Sequence, residues 1–296
     1  MFPFPAIKKV TAILSHTVCL FLILSISFSA CSNKEDVIVD PPPASEATKP
    51  SGEVMMQTFY WDVPAGGTWW DVINGKVASW QSAGITMLWL PPVSKAQSGG
   101  FSMGYDPYDY FDFGKYDQHG TVETRFGSES ELLSLISNAK AKGMKLIADI
   151  VINHNSGGDL EFNPNTNTSY YTKFTPKSGK FNRTYEHFHP NAIHGSDEGG
   201  FGGFPDLCHD VNYVKDWLWR RDDGVAKYYK NNLGFDGWRF DYVKGFSPNV
   251  VKEWNASVGG ISIGEYYDGD VNLVNNWSKA ANSAAFDFPL MFALRD

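Results

Sequence analysis

The sequence contains 296 residues, of which 33 are acidic and 25 are basic, so the formal net charge at neutral pH is −8. This acidic balance argues against nucleic acid as a partner. The three cysteines are too few for a fold held together by a disulfide framework.

The first 30 residues have the pattern of a signal peptide. Two lysines precede an apolar run over residues 18–28, and two small residues then lead to Cys31. A transmembrane anchor is the alternative, but the apolar run is shorter than a membrane-spanning helix requires. We therefore expect an exported lipoprotein, periplasmic or at the cell surface, held to a membrane by lipid on Cys31. Residues 31–52, rich in proline and polar side chains, predict a disordered stalk.

Six apolar runs of strand length follow, separated by helix-like segments, which predicts parallel βα units. The predicted strands are residues 54–60, 85–90, 145–152, 237–240, 261–263 and 285–288. Before the third strand, Ser128 and Glu131 have the spacing of a capping box, and the helix that they begin should end near Gly143. Residues 155–213 are rich in Gly, Asn and His without a helical period, so they predict an insertion after the third strand.

Polar side chains stand where three of these strands end. Arg239 and Asp241 are two residues apart, so they share one face, and the guanidinium would keep the carboxylate ionised and oriented as a nucleophile requires. Glu265 follows the fifth strand, and His154 follows the third. The carboxyl ends of barrel strands are where enzymes place their chemistry. A structural Arg–Asp pair and a solvated Glu are the alternatives.

Three segments resemble the ordered motifs of the α-amylase family, glycoside hydrolase family 13, namely residues 149–154, 236–245 and 264–267. Residues 102–110 and 204–210 are similar to the archaeal and plant-like branch of that family. The resemblance runs from about Glu53 to the last residue. It implies an α/β fold, a (β/α)8 TIM barrel with a B domain inserted after the third strand.

The family's last barrel strands, its final motif and its C-terminal β domain have no counterpart in the sequence. The expected barrel is therefore incomplete, with about six βα units, and its first and last strands should have unpaired edges. We expect a signal peptide, a stalk, a first barrel part, a metal-binding B domain and a second, truncated barrel part. Their expected bounds are residues 1–30, 31–52, 53–154, 155–213 and 214–296.

The resemblance implies a retaining glycosidase site built on two carboxyl groups. Asp241, held by Arg239, is the expected nucleophile toward the anomeric carbon. Glu265 is the expected acid and then base, kept protonated in part by the neighbouring negative charge. The acidic residue that stabilises the transition state in the family belongs to the final motif, which is missing here.

Three further residues are expected to contact the substrate. The resemblance implies that the Tyr105 ring stacks on the sugar at the cleavage point and that His154 donates hydrogen bonds to its hydroxyl groups. Lys244 would hold the sugars on the leaving side. Many family members have His after this Lys, whereas Gly245 stands here, so binding on the leaving side is where the chain departs from the family.

Four residues resemble the family's calcium site between the barrel and the B domain, namely Asn153, Asp197, Gly199 and Asp206. Carboxylate and carbonyl oxygens are the ligands that Ca²⁺ prefers. Solvated acidic side chains in a glycine-rich loop are the alternative for the two aspartates.

A softer set of metal ligands consists of His189, His194 and Cys208, with the spacing His-x4-His-x13-Cys. Two imidazoles and one thiolate match the ligation of zinc, and the archaeal branch carries such a metal beside its calcium. A buried thiol with two surface histidines is the alternative. We therefore expect Ca²⁺ and leave Zn²⁺ open as a second metal.

The resemblance as a whole implies a monomeric α-amylase that cleaves internal α-1,4-glucosidic bonds of starch or glycogen with retention. A transglycosylase of the same family is one alternative, because loops decide which acceptor is used. A catalytically inactive starch-binding lipoprotein is the other, because the final motif is missing.

Overall fold

The computed structural model describes residues 52–295 of the protein. The predicted signal peptide, Cys31 and nearly all of the predicted stalk lie outside the described residues. Among residues 52–295, no helix combines the length and the apolar composition needed to cross a membrane.

The strands of the described chain are mostly short. In chain order they are β1 Met55–Gln57, β2 Met87–Leu90, β3 Lys95–Ala96, β4 Pro107–Asp109, β5 Lys145–Ile150, β6 Asp159–Asn163, β7 Thr168–Lys173, β8 Phe188–His189, β9 Asp206–Leu207, β10 Gly237–Phe240, β11 Ile261–Gly264 and β12 Ala284–Ala285. Six of them form one parallel sheet in the order β1-β2-β5-β10-β11-β12. This confirms the predicted incomplete barrel, in which chain order and spatial order coincide.

Helices alternate with the sheet strands. They are α1 Trp69–Ser82, α2 Glu129–Ala141, α3 Asn212–Lys215, α4 Val225–Tyr228, α5 Pro248–Val258, α6 Val271–Ala281 and α7 Phe288–Arg295. The π-helical segments Asp216–Arg220 and Tyr229–Leu233 continue α3 and α4. The predicted capping box of α2 is present, because Ser128 Oγ accepts from the Glu131 amide and Glu131 Oε2 accepts from the Ser128 amide.

The core lies on both faces of the sheet. All four residues of β2 and all four of β10 are buried, as expected where a parallel sheet is covered on both sides. The largest side chains that are fully buried include Trp70, Trp238 and Trp254. This packing fixes the sheet that carries the polar strand ends described below.

The last predicted strand is shorter than its apolar run suggested. Residues 287 and 288 leave the sheet, after the Phe286 amide has donated to the Gly264 carbonyl at 3.2 Å, because the Asp287 carboxylate accepts a hydrogen bond from the Leu290 amide at 3.0 Å and begins α7. Pro289, within the first turn of that helix, fits a position where its missing N–H costs no helical hydrogen bond. In the described chain, β1 and β12 each pair with one strand and form the two edges of the sheet, as predicted.

The segment between β5 and α3 contains two small antiparallel pairs, β6 with β7 and β8 with β9. Its contact with the barrel is fixed by Arg183, which is 1% exposed. The Arg183 guanidinium lies 4.6 Å from the Phe174 ring centroid and 4.8 Å from that of Trp217, and it donates to the Tyr108 carbonyl. A buried cation between two aromatic rings holds the inserted segment against a barrel helix.

Candidate active site

Four charged side chains meet at the carboxyl ends of β5, β10 and β11, and we call them the Arg239 cluster: Asp149, Arg239, Asp241 and Glu265. Arg239 Nη1 donates to Asp149 Oδ1 and to Asp241 Oδ1, each at 2.8 Å, and Nη2 lies 2.8 Å from Glu265 Oε2. One guanidinium fork thus holds all three carboxylates. The structure brings together the predicted catalytic pair and its arginine.

The register of the sheet explains this meeting. Arg239 is paired with Asp149 on one side and with Ile263, two residues before Glu265, on the other. The pairing continues one residue past each strand, because the Asp241 amide donates to the Ile150 carbonyl and the Glu265 amide to the Phe240 carbonyl. The three carboxylates are therefore positioned by backbone hydrogen bonds of the sheet rather than by a flexible loop.

The Arg239 cluster contains three carboxyl groups and a single guanidinium, so not all of its carboxyl groups can readily stay charged. Arg239 is 4% exposed and Asp149 is 3% exposed. Burial raises the pKa of Asp241 to about 8, since the attraction of Arg239 is offset in part by repulsion from Asp149 and Glu265. Burial also raises the pKa of Asp149, against the stabilising contacts with Arg239 and Tyr105. The cluster is therefore built to hold a proton near neutral pH.

Glu265 takes one arm of the guanidinium. Its Oε2 faces Arg239 Nη2 and also accepts from the Tyr242 amide at 3.1 Å. The expected division, with Asp241 as the ionised nucleophile and Glu265 as the protonated acid, stays a prediction, because the same guanidinium holds both side chains at 2.8 Å in this conformation.

A cleft of about 990 Å³ opens beside the Arg239 cluster. Its walls are rich in aromatic rings, and Trp61, which is 73% exposed, stacks on Tyr105 with ring centroids 5.9 Å apart. The lining aromatic side chains are Phe59, Trp61, Trp89, Tyr105, Phe201, Tyr242, Tyr267, Phe286 and Phe288. Flat rings beside paired carboxyl groups suit a ligand that has apolar faces and polar edges.

Tyr105 lies at the base of this cleft, where its hydroxyl donates to Asp149 Oδ2 at 2.7 Å. Trp89 donates to the same carboxylate oxygen through Nε1 at 3.1 Å, and its ring lies 4.9 Å from the Arg239 guanidinium. The sequence analysis named Tyr105 but missed Trp89. The position of Trp89 near the end of β2, in line with the other polar strand ends, is the signal that could have found it.

Lys244 lies at the rim of the cleft, as expected for a residue that contacts the outer part of a ligand. Its Nζ is 2.9 Å from Asp268 Oδ2 and 5.2 Å from the Tyr266 ring centroid. The hydrogen bond to Asp268 raises the pKa of Lys244, so the side chain is charged. Gly245 has no room for a larger residue in this backbone, because a Cβ would lie 2.0 Å from Asn153 Oδ1.

His154 does not line the cleft in this conformation, so the sugar contact expected of it stays a prediction. The side chain is 0% exposed, and Nε2 lies 3.0 Å from the Tyr105 carbonyl oxygen. Its ring stacks on Phe201 and on Phe204, with centroids 5.1 Å apart in each pair, and the two phenylalanine rings lie 6.3 Å from each other. Phe201, which the sequence analysis did not name, lines the cleft in place of His154.

A second cluster lies in the inserted segment, and we call it the metal cluster: His189, Asp197 and Asp206. Each offers a ligand atom, and these atoms lie within 4.8 Å of one another. His189 and Asp206 face each other because β8 and β9 pair at these residues. Three buried polar atoms here have no hydrogen-bond partner, namely Asp206 Oδ1, His189 Nδ1 and Oδ1 of the adjacent Asn153. Such orphaned atoms are costly unless a cation or water occupies the space.

This grouping changes the division expected between two metals. His189 was assigned to the zinc set but lies among the calcium acids, with Nε2 3.5 Å from Asp197 Oδ2. His194 is paired with Asp210 at 2.9 Å, and its ring centroid is 6.4 Å from that of His189. Cys208 is fully buried, and contacts with His189 and Asn191 lower the pKa of its thiol despite burial.

Gly199, which was expected to be a calcium ligand, lies between Asp197 and Asp206 in the sequence. Its amide lies 3.4 Å from Asp197 Oδ1. The carboxylate and amide oxygen atoms of these residues suit a cation such as Ca²⁺. The imidazole nitrogen atoms suit a softer ion.

Comparison with known proteins agrees with this geometry. Residues 23–295 match the family described as "Alpha amylase, catalytic domain". The chain belongs to the α-amylase family. Membership confirms the resemblance drawn from the three strand-end motifs.

Curated relatives of this α-amylase-family chain include the glucan 1,4-alpha-maltohexaosidase of Bacillus sp. (strain 707), which is 28% identical and covers 81% of this chain and 56% of its own length. The alpha-amylase of Geobacillus stearothermophilus is also 28% identical and covers 83% of this chain and 54% of its own length. The chain thus spans about half the length of these curated relatives.

Solved structures show the same fold. The alpha-amylase of Geobacillus thermoleovorans, solved with acarbose, has a TM-score of 0.58 at 23% identity, covering 82% of this chain and 53% of that one. An Anoxybacillus alpha-amylase has a TM-score of 0.54 at 24% identity, covering 74% and 44%. The parallel sheet of this α-amylase-family chain is therefore part of the family's barrel.

Proposed function

We propose that this chain carries the site of a retaining α-amylase that cleaves internal α-1,4-glucosidic bonds in polysaccharides of the starch and glycogen type. The observation that carries the proposal is the single guanidinium that holds Asp241 and Glu265 beside an aromatic cleft. Two carboxyl groups fixed next to a sugar-sized cleft are what a double displacement at the anomeric carbon requires. The printed names of the relatives support the same substrate class.

In the proposed reaction, the Asp241 carboxylate attacks the anomeric carbon while Glu265 protonates the departing glycosidic oxygen. A glycosyl ester forms on Asp241, and water activated by Glu265 then hydrolyses it with net retention. Asp241 must therefore be ionised and Glu265 protonated when the glycosidic bond breaks.

The rings of Trp61 and Tyr105 would stack on the sugars near the cleavage point, and Lys244 would bind the sugars on the leaving side. His154 would contribute a hydrogen bond once its cover is displaced. The domain bounds predicted from the sequence, with residues 155–213 as the B domain between two barrel parts, are part of the same proposal.

For the metals, we propose calcium at Asn153, Asp197 and Asp206, with Gly199 contributing from the loop. The unpartnered oxygen atoms of Asn153 and Asp206 support this assignment. Zinc at His189, His194 and Cys208 remains the second metal proposal, supported by the contact between His189 and Cys208. A cation would supply stability to the inserted segment rather than a chemical step.

Membership of the archaeal and plant-like branch, a monomeric state and anchoring through a lipid on Cys31 complete the proposal. The segments 102–110 and 204–210 support the branch, and the apolar run before Cys31 supports export. Mass spectrometry of the N-terminal peptide of the mature protein tests the anchor. An acylated Cys31 would support it, and an unmodified Cys31 would refute it.

The test of the function is the release of reducing sugars from soluble starch by the full chain and by Asp241→Asn and Glu265→Gln. Each substitution should lower kcat by several orders of magnitude while leaving maltooligosaccharide binding nearly intact. Asp223→Asn, an exposed acid that pairs with Arg221 and does not line the cleft, is the matched control and should retain most of the activity. Products longer than the donor would indicate transglycosylation, and binding of starch without turnover would indicate a binding protein.

A further inference from the structure

The loop between Asp197 and Asp206 of the metal cluster contains two phenylalanines, Phe201 and Phe204, and we call residues 197–206 the Phe201 loop. Two glycines precede Phe201 and two follow it. Gly202 and Gly203 have positive φ angles of 59° and 77°. A side chain at Gly203 would meet nothing within 4 Å, so the backbone here is loosely surrounded.

Phe201 is held mainly by contacts between rings. It stacks on His154 at 5.1 Å and meets Tyr242 edge to face at 5.0 Å. The ring is nevertheless 42% exposed and lines the cleft beside Asp241. The Phe201 ring is large, apolar and nearly half exposed, and its neighbours in the chain are glycines. Few contacts therefore oppose its movement when a ligand enters the cleft.

The side chain beneath Phe201 is polar and completely covered. His154 is 0% exposed, although its neighbour Tyr105 lines the cleft and accepts a hydrogen bond from the His154 ring through its carbonyl oxygen. Phe204, at the end of the loop nearest β9, also stacks on His154, and its ring lies 6.3 Å from that of Phe201. Of these two rings Phe201 is the one that lines the cleft, so moving it would uncover His154 on the cleft side, next to Tyr105.

We propose that Phe201 is a displaceable ring that occupies the place of a sugar against His154, and that an α-glucan entering the cleft moves it aside. The inference rests on the proposed function, since it names the residue that controls access to that site. A pyranose ring has an apolar face that replaces the stacking of Phe201 and hydroxyl groups that a phenyl ring lacks. Phe201 thus weakens binding by requiring its own displacement.

The direction in which one substitution changes the Kd for a maltooligosaccharide tests the proposal. Binding of maltoheptaose is measured by calorimetry in a Glu265→Gln background, which prevents turnover. If Phe201 must be displaced, Phe201→Ala should lower the Kd about two- to tenfold, the factor expected for one lost aromatic stack. Phe201→Leu, which keeps apolar bulk without a flat ring, should give a smaller decrease. Phe162→Ala, which removes an exposed phenylalanine from β6, is the matched control and should leave the Kd unchanged.

Nuclear magnetic resonance of the His154 ring gives a second measurement, which reports directly whether Phe201 covers this ring. The His154 ring protons should resonate upfield in the free protein because two aromatic rings stack on this imidazole. Saturating maltoheptaose should shift these signals in the Glu265→Gln protein, and Phe201→Ala should shift them without sugar. Circular dichroism confirms that each variant is folded.

Two results would overturn the proposal. One is a Kd that rises or stays constant in Phe201→Ala, because a ring that stacks on the sugar would help binding. The other is an unchanged His154 signal when maltoheptaose binds. If neither the Glu265→Gln protein nor any variant in that background binds maltoheptaose, the proposed function fails together with this inference. Normal binding with no response at Phe201 refutes the inference alone.

Discussion

Asp149, Asp241 and Glu265 each accept a hydrogen bond at 3.1 Å or less, whereas Asp206 and His189 in the metal cluster each leave a buried polar atom without a partner. The first three side chains extend from neighbouring strands of one sheet. The metal cluster instead joins a short strand pair to a glycine-rich loop. The sheet site provides a partner for each of its carboxyl groups and leaves a donor, Arg239 Nε, unpaired, whereas the inserted segment leaves carboxylate and imidazole atoms that an ion would complete.

The two clusters also differ in what stabilises their acidic side chains. The Arg239 cluster brings several carboxyl groups together away from water, so its stability depends on the one guanidinium that pairs with them. The metal cluster also contains more acidic than basic side chains, but within the described chain its aspartates face a histidine rather than an arginine or lysine. Removing the cation from either region should therefore destabilise the protein, by mutation in one case and by chelation in the other.

The largest effect is expected from Arg239→Met, which leaves the buried Asp149 and the partly buried Asp241 and Glu265 without their cation. The free energy of unfolding should fall by about 3–5 kcal/mol, the usual result of breaking a buried ion pair. Urea denaturation measures it. Arg221→Met, which breaks an exposed pair with Asp223, is the control and should change nothing measurable. An equal loss in both variants would contradict the distinction between the two pairs.

Chelation is expected to have the next largest effect. Removing calcium should lower the thermal midpoint, and adding it back should restore the midpoint, because a bound ion stabilises only the folded state, by about 2.7 kcal/mol at a hundredfold excess over Kd. Asp206→Asn should abolish this response, whereas Asp210→Asn, an exposed acid in the same segment, should preserve it. Cys208→Ser should lower zinc content and spare calcium. A thermal midpoint indifferent to chelator in the wild type would refute the metal cluster.

The effect expected from pH is smaller for each pH unit than either of these two effects. Folded Asp241 keeps its proton up to about pH 8, whereas an ordinary carboxyl group in the unfolded chain loses it near pH 3.8. The folded state therefore binds more protons between these values, and the stability present near pH 4 is lost as the pH rises towards 8, by on the order of 1 kcal/mol per pH unit. Urea denaturation across this range should show a shallower slope for Asp241→Asn and an unchanged slope for Asp223→Asn. A steeper slope in Asp241→Asn would contradict the assignment.

The smallest effect is expected at the rim. Lys244→Met removes a charged contact on the leaving side and should raise KM for maltooligosaccharides by about two- to fivefold, with little change in kcat, because exposed charge contacts contribute little. Lys142→Met, after α2, is the control. A fall in kcat with constant KM would instead give Lys244 a part in the transition state.

The sequence predicted the Arg239 cluster because its determinants are local. Arg239 and Asp241 share a face of one strand, and the apolar runs fix which strands are neighbours. The capping box at Ser128 was predictable for the same reason. Polar residues at strand ends needed no knowledge of loop paths.

The metal cluster and the cover over His154 could not be predicted in this way. His189 meets Asp206 through the antiparallel register of two strands of two residues each, which leave no periodic signal. Phe201 reaches His154 only through the path of a glycine-rich loop. The contact between Glu265 and Arg239 depends on side-chain rotamers, so it was beyond the sequence as well.

The most direct test of the central claim, that Asp241 is the nucleophile of a retaining α-glucan hydrolase, is peptide mass spectrometry of the Glu265→Gln chain after incubation with α-maltosyl fluoride. An activated leaving group needs no acid, while the ester cannot be hydrolysed without the base, so the intermediate should accumulate. We expect a maltosyl adduct on the peptide that contains Asp241 and none in Asp241→Asn. Fluoride release by Glu265→Gln without an adduct, or an adduct on another residue, would contradict the assignment.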